Sequence, residues 1–217
     1  MTLVLFVGCR SAEDAFNDGR QAEMMGNKLR ASQYYIETIK RQANHPQARI
    51  RLEEVSSLLM QENISRVHEN IDQDRGKEAL VYIRKSESLK NMLAPYTSAI
   101  SLPNDWSSLK TKANQIVITN LFAHAKEAEK NKDWDSALHS LNEINDYNPP
   151  SKDRQKAFKY ISRIKDNAFH EKISFATDLQ KRGEIDQALA TLTEALKYAD
   201  SLKEKNKIRD KENNYKN

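Results

Sequence analysis

The sequence has little of what a disulfide-rich, membrane-spanning or β-sheet protein requires. Among 217 residues there are one cysteine, five glycines, five prolines, six valines and eight threonines. A lone cysteine forms neither an internal disulfide nor a cysteine-based zinc site. So few β-branched and turn-forming residues exclude a β-sandwich or barrel. No apolar run reaches the roughly 18 residues that span a bilayer.

Charge is plentiful, and its two signs are nearly balanced. Lys and Arg number 35 against 31 Asp and Glu, a net charge of +4, and the mean hydropathy is −0.81. In 203–217 six Lys/Arg oppose three Asp/Glu, so most of the excess lies at the C-terminus. Because cations and anions are mixed there without a nucleic-acid-binding motif, we predict a charged, flexible, solvated tail and no nucleic-acid partner.

The rest of the chain reads as long amphipathic segments separated by Gly, Pro and Asn. In one segment Trp134, Leu138, Leu141 and Ile144 recur at spacings of four and three, and Asp133 stands where it can cap the helix. The pattern predicts about eight helices, some of them long, at 11–25, 28–43, 46–73, 77–93, 104–131, 134–147, 151–181 and 185–210. Short connections favour antiparallel neighbours.

The predicted helices form pairs that resemble one another. Each pair has a break followed by a key alanine, and a small or β-branched residue stands twelve places before that alanine. The alanines are Ala31, Ala79, Ala137 and Ala188, and the preceding residues are Gly19, Val67, Ala125 and Ala176. Small side chains at these places let two helices approach closely.

This pattern resembles the tetratricopeptide repeat, a helix–turn–helix unit of about 34 residues. The stretches 117–150 and 169–202 match it best. The key alanines are 48, 58 and 51 residues apart, so the first helices are longer than in a regular unit. The resemblance implies an all-α solenoid of helical hairpins over 9–202, whereas a different helical bundle or a coiled-coil array is the alternative.

By the same resemblance, the first helix of a hairpin presents side chains on a concave face that binds a protein partner. The candidate partner-binding residues are Phe122, Lys126, Glu129, Lys130, His170, Ile173, Thr177, Gln180 and Lys181. Apolar partner groups would meet Phe122 and Ile173, and acidic groups would meet the lysines. The alternative is that Phe122 and Ile173 are core residues and the lysines only confer solubility.

An apolar run stands at 2–8, TLVLFVG, and it is followed by Cys9 and the polar run that starts at Arg10. The junction resembles the lipobox of bacterial lipoproteins, in which the cysteine is lipidated and becomes the first mature residue. The resemblance implies a short signal segment at 1–8, a lipid anchor at Cys9 and attachment to the outer membrane, facing the periplasm. The alternative is an apolar N-terminus with an ordinary thiol.

Catalytic signatures are missing from the sequence. The five glycines never cluster into a phosphate-binding loop, and neither His68-Glu69 nor His170-Glu171 is followed by a second zinc-binding histidine. We therefore expect no enzyme activity, metal or cofactor. The favoured function is a lipid-anchored adaptor that binds other proteins. An elongated spacer, a self-associating helical array and a cytosolic adaptor without an anchor are the alternatives.

Overall fold

The amphipathic segments fold into helices throughout the part of the chain that can be described. The computed structural model describes residues 10–216, and these contain nine α-helices, one 3-10 helix and no β-strand. The prediction of an all-α chain is confirmed. The α-helices are α1 (Ala12–Met24), α2 (Lys28–Arg41), α3 (Ala48–Asp72), α4 (Gly76–Leu93), α5 (Trp106–Lys130), α6 (Trp134–Glu143), α7 (Ser151–Lys181), α8 (Ile185–Ala195) and α9 (Leu202–Lys216).

Seven of the predicted helices match α1 to α7 within a few residues, but the eighth, at 185–210, is wrong as one helix. It is interrupted between α8 and α9, and a new helix begins after Ser201. The Ser201 hydroxyl accepts from the Glu204 amide at 3.2 Å, and the Glu204 carboxylate accepts from the Ser201 amide at 2.8 Å. This reciprocal capping box starts α9, and its Ser-x-x-Glu pattern was readable in the sequence.

The expectation of a flexible, solvated end at 203–217 is also corrected. Within the described residues this segment is helical, and Ile208 and Tyr215 are buried at 1% and 8% exposure. The mean hydropathy of the segment hides these two apolar positions, which lie seven residues apart and therefore on one helix face. Although α9 is mostly polar, it is stable as a helix because this one apolar face packs against the rest of the protein.

The helical hairpins share one turn geometry. The last residue of each turn has a left-handed backbone, with φ of 75° at Gly26, 54° at Asp74, 58° at Lys132 and 80° at Gly183. In all four turns the amide of the next residue donates to the carbonyl five residues earlier, at 2.8 to 3.0 Å. These bonds satisfy carbonyls at the helix end in the manner of a Schellman motif. In each hairpin the key alanine lies five residues after the left-handed residue. The repeat seen in the sequence is therefore also a repeat of backbone conformation.

Small residues lie where the helices of a hairpin cross. Ala31, Ala79, Ala137 and Ala188 are all fully buried, as are Val67, Ala125 and Ala176. At Gly19 a Cβ atom would lie 2.6 Å from the ring of Tyr35, which is itself fully buried. The predicted close approach of paired helices is therefore explained in α1–α2 by a glycine that accommodates a tyrosine ring.

The chain divides into two compact units of packed helices. The units are Met1–Ala113 and Asn114–Asn217, and the boundary lies inside α5. In the first unit α1 packs on α2, α2 on α3 and α3 on α4. In the second unit α6 packs on α7, α7 on α8 and α8 on α9. Buried apolar side chains lie in both units, and the candidate site lies within the second.

We predict that Gly19→Ala destabilises the protein, although alanine normally stabilises a helix relative to glycine. The new methyl group would overlap the Tyr35 ring, and forced overpacking costs about 1–3 kcal/mol. Urea unfolding measures the change. The cost should shrink in a Tyr35→Leu background, because the clashing ring is gone. Equal costs in both backgrounds would contradict the packing account.

The turns lead to a second prediction: substitutions at two equivalent turn positions should change the stability of the protein in opposite directions. Gly183→Ala should lower stability by about 1 kcal/mol, because the left-handed backbone disfavours a side chain even where space is open. Lys132→Gly should raise stability by a similar amount, since the exposed ion pair that it loses to Glu171 contributes little. Thermal unfolding of both variants checks the pair of signs.

Candidate functional site

A surface groove of about 360 Å³ lies between α5 and α7 in the unit Asn114–Asn217. We call it the α5–α7 groove. Its α5 wall uses residues that recur about one helical turn apart, so they share one face. The residues that line it are Phe122, Ala123, Lys126 and Glu129 from α5, and Lys156, Tyr160 and Arg163 from α7.

The carboxylate of Glu129 ties the two walls of the groove together. Its Oε2 atom accepts from the Tyr160 hydroxyl at 2.6 Å and from Nη2 of Arg163 at 2.9 Å. The Glu129 side chain is 22% exposed, so this ion pair is partly shielded from water. Charge-assisted bonds of this kind are shorter and stronger than neutral ones. The Glu129 carboxylate is therefore already paired with groups of the protein itself.

Two cations lie over aromatic rings in the same groove. The Lys156 ammonium is 4.2 Å from the centre of the Phe122 ring, and the Arg163 guanidinium is 4.4 Å from the centre of the Tyr160 ring. Such stacking orders long side chains and retains their charge. Lys126 is exposed and forms no ion pair within the described residues. Three cations thus line the groove against the one carboxylate of Glu129.

The surroundings of Tyr160 hold its hydroxyl in the neutral form. Burial, followed by the hydrogen bond to the Glu129 carboxylate, raises the pKa of Tyr160 to about 12. A neutral phenol can donate to Glu129 through the whole physiological range. The Tyr160 hydroxyl can therefore serve at physiological pH as the donor of the hydrogen bond that joins α5 to α7.

The structure brings together three of the four candidate residues predicted on α5. Phe122, Lys126 and Glu129 all line the α5–α7 groove. Lys130 is exposed near the end of α5, does not line the groove, and lies 3.8 Å from the Glu127 carboxylate. Phe122 is half-buried under Lys156. It is therefore neither a free surface ring nor a fully enclosed core residue.

The candidates predicted on α7 do not form a second open groove. Ile173 is 6% exposed, which agrees with the alternative prediction that it is a core residue. The Thr177 hydroxyl accepts from Lys211 Nζ at 3.0 Å and from the Tyr215 hydroxyl at 3.4 Å, so α9 covers this position. The other α7 candidates are His170 and Lys181, both exposed, and Gln180, which is half-buried.

Sequence reasoning missed the α7 wall of the groove. Lys156, Tyr160 and Arg163 lie in the first half of a helix of 31 residues, far before the stretch that matches the repeat pattern. The spacing of four and three between them was a readable sign of a shared helix face. Only the packing of the chain shows that this face meets Phe122, because the pattern carries no information on which helix lies opposite.

Other kinds of site find no support in residues 10–216. They contain no group of three His, Cys, Asp or Glu side chains placed to hold a metal ion. Among those residues, too, no helix is both long enough and apolar enough to cross a bilayer. The predicted lipidation site Cys9 and the apolar run 2–8 lie outside the described residues. What the α5–α7 groove offers chemically is positive charge beside aromatic rings.

We predict that Glu129→Gln lowers the pKa of Tyr160 from about 12 towards its ordinary value of 10. A neutral amide no longer repels the phenolate, although burial continues to disfavour it. The ¹³Cζ resonance of labelled tyrosine, assigned with Tyr160→Phe, follows this titration. Glu127→Gln is the matched control on the same helix and should leave Tyr160 unchanged.

The raised pKa also sets the sign of a pH effect on stability. The unfolded state loses the Tyr160 proton near pH 10, whereas the folded state keeps it until about pH 12. The stability that the neutral hydroxyl contributes is therefore fully present below pH 10 and is lost as the pH rises to 12. Urea unfolding at pH 9 to 12 should show a shallower fall in Tyr160→Phe than in the wild type. Parallel falls in the two proteins would contradict the assignment.

Comparisons of the chain with known protein families, with curated proteins and with solved structures find no match. The residues and geometry of the α5–α7 groove are accordingly the basis for the functional proposal.

Proposed function

We propose that this protein is a non-catalytic adaptor that binds an acidic, extended segment of a partner protein in the α5–α7 groove. The observation that carries the proposal is the charge of the groove: Lys126, Lys156 and Arg163 line it, and Glu129 is held by Tyr160 and Arg163. Because no second carboxylate lines the groove, a ligand that supplies carboxylates complements it.

The aromatic residues of the groove support a peptide as the ligand. Phe122 is half-buried, and its ring offers apolar contact area beside the charged heads of Lys126 and Lys156. Aromatic rings beside cations are typical of the energetically important part of a protein–protein interface. A segment that alternates acidic and apolar side chains would satisfy both parts of the groove.

We further propose that the adaptor is a lipoprotein of a bacterial cell envelope, attached through Cys9 to the outer membrane and facing the periplasm. Support comes from the sequence, in which the apolar run 2–8 ends at the only cysteine of the chain and polar residues follow at once. Lipidation of a cysteine with more than one acyl chain anchors a protein stably, since each buried CH₂ contributes roughly 0.8 kcal/mol.

We predict that charge reversal in the α5–α7 groove weakens the binding of acidic peptides. The probes are fluorescein-labelled peptides in which Asp or Glu alternates with Leu or Phe, and the readout is fluorescence anisotropy with the full chain. Lys126→Glu combined with Lys156→Glu should raise the Kd at least about tenfold, because attraction becomes repulsion. The Kd in the wild type should also rise with salt concentration.

Lys130→Glu is the matched control for this experiment. It makes the same change of charge on α5 as the single variant Lys126→Glu but lies outside the groove, so the Kd should rise in Lys126→Glu and stay close to that of the wild type in Lys130→Glu. Similar losses in Lys130→Glu and in the groove variant would assign binding to net charge alone and would contradict the proposed site.

The anchor is tested separately from the groove. In a bacterium that processes lipoproteins, the wild type should incorporate labelled palmitate and partition into the detergent phase. Cys9→Ser should lose both properties, because the acceptor sulfur is gone, whereas groove variants such as Lys126→Glu should keep them. Wild-type protein that takes up no label would contradict the lipoprotein proposal and leave the groove proposal standing.

A further inference from the structure

A second groove lies in the unit Met1–Ala113, where α3 packs between α2 and α4. Its volume is about 630 Å³, and we call it the α2–α4 groove. The residues that line it are Leu29 and Gln33 from α2, Leu59 and Asn63 from α3, and Val81, Arg84, Lys85, Ser88, Leu89 and Met92 from α4.

The groove is mostly apolar and is accessible from solvent. Leu29 and Val81 are 48% and 39% exposed, and Leu59 and Met92 are half-buried. Leu89 lies beneath them at 3% exposure and belongs to the buried core of the unit. Apolar side chains gathered in one depression with polar residues around them are typical of an interaction surface, in contrast to scattered exposed leucines.

The charges that line the α2–α4 groove are all of one sign. Arg84 and Lys85 are exposed, and no Asp or Glu is among the lining residues. The Lys85 ammonium lies 4.6 Å from the centre of the Tyr82 ring, but neither Lys85 nor Arg84 forms an ion pair within the described residues. Both cations are therefore available to a carboxylate that approaches from outside.

The lining of α4 also fixes the shape of a suitable ligand. Val81, Lys85, Ser88 and Met92 follow one another at spacings of four, three and four, so they form a single stripe along the helix. From Val81 to Met92 the stripe extends about 16 Å at 1.5 Å per residue, the length of a helix of about three turns. Apolar anchors in a groove between two helices are the usual seat of an amphipathic helix.

We propose that the α2–α4 groove binds an amphipathic helix of about three turns from a partner protein, with its apolar face on Leu29, Val81 and Met92 and acidic side chains beside Arg84 and Lys85. This proposal does not rest on the α5–α7 groove. It makes the protein a carrier of two separate binding surfaces of different chemistry, one for an extended acidic segment and one for a helix.

Two other occupants complement the groove less well. A symmetric pair of copies joined through this face would bring Arg84 and Lys85 towards their own counterparts, and like charges repel at such an interface. The apolar run 2–8 of the chain contains no acidic residue, so it would leave Arg84 and Lys85 without a carboxylate partner. An acidic amphipathic helix complements both the apolar side chains and the two cations of the groove.

A display library of 14-residue peptides, panned on the full chain, tests the proposal. Half of its designs are amphipathic helices with Leu on one face and varied charge beside it, and half are scrambled versions of the same composition. Peptides recovered from the library are synthesised, and their Kd values are measured by fluorescence anisotropy. Val81→Glu removes the apolar seat, and Arg84→Glu combined with Lys85→Glu reverses the charge. The control for Val81→Glu is Ile50→Glu, at an exposed apolar residue of α3, and the control for the single reversals Arg84→Glu and Lys85→Glu is Lys90→Glu, at an exposed lysine of α4.

The proposal expects recovered peptides that are amphipathic and acidic and that become helical on binding. Their Kd should rise at least about tenfold in Val81→Glu and in the Arg84/Lys85 reversal. It should stay within about twofold in Ile50→Glu and Lys90→Glu. All these positions are exposed, so the variants should fold, and circular dichroism melts check that they do.

Recovery of scrambled or basic peptides, or a Kd that is unchanged in Val81→Glu, would overturn the proposal. So would a dimer in sedimentation experiments that Val81→Glu dissociates, since a second copy would then be the occupant. A rise in peptide affinity after deletion of 2–8 would identify that segment as the occupant instead. Peptides that are sensitive to Lys126→Glu but not to Val81→Glu belong to the α5–α7 groove, so the two proposals fail independently.

Discussion

The architecture depends on how closely two helices of a hairpin can approach. At each crossing the side chain is small or fully enclosed, and in α1–α2 a single glycine leaves room for the ring of Tyr35. The left-handed turn residues, of which Lys132 carries a side chain, end the first helix of each hairpin and lead directly into the second. Because helix pairs interlock at these points, their outward faces are left to form grooves. The same packing that stabilises the unit therefore creates the surfaces that we propose for binding.

The electrostatics follow a consistent arrangement in both units. In the first, the Glu23 carboxylate accepts from the Tyr35 hydroxyl and from Arg51, each at 2.7 Å, and so links α1, α2 and α3. In the second, Glu129 accepts from Tyr160 and Arg163 in the same way. Partly buried carboxylates are thus satisfied inside the protein, where an unpaired one would be costly. The unpaired charges that remain along the two grooves are cations, which is why both proposals call for acidic partners although the chain as a whole is nearly neutral.

Much of the fold could be predicted from local pattern. The all-α class, the positions of α1 to α7 and the small residues at the crossings all follow from periodicity and turn chemistry, which act between residues a few places apart. The break before α9 was also local, in the capping box at Ser201, but the long charged run concealed it. The α5 wall of the groove was indicated by the resemblance to the tetratricopeptide repeat, which places Phe122, Lys126 and Glu129 on the open face of a first helix. The α7 half was missed because nothing in the order of residues says which helix lies opposite.

The sequence by itself determined the helices, their caps and turns, and the small residues where paired helices cross, because these depend on short-range geometry and on the loss of water from apolar stripes. Only the tertiary structure decided which side chains remain open to a partner. The packing of the helices buries Ile173, covers Thr177 with α9 and places Lys156 over Phe122. It leaves Leu29 of α2 and Val81 of α4 exposed in the α2–α4 groove. Exposure is set by which element packs against which, and that is a property of residues far apart in the chain.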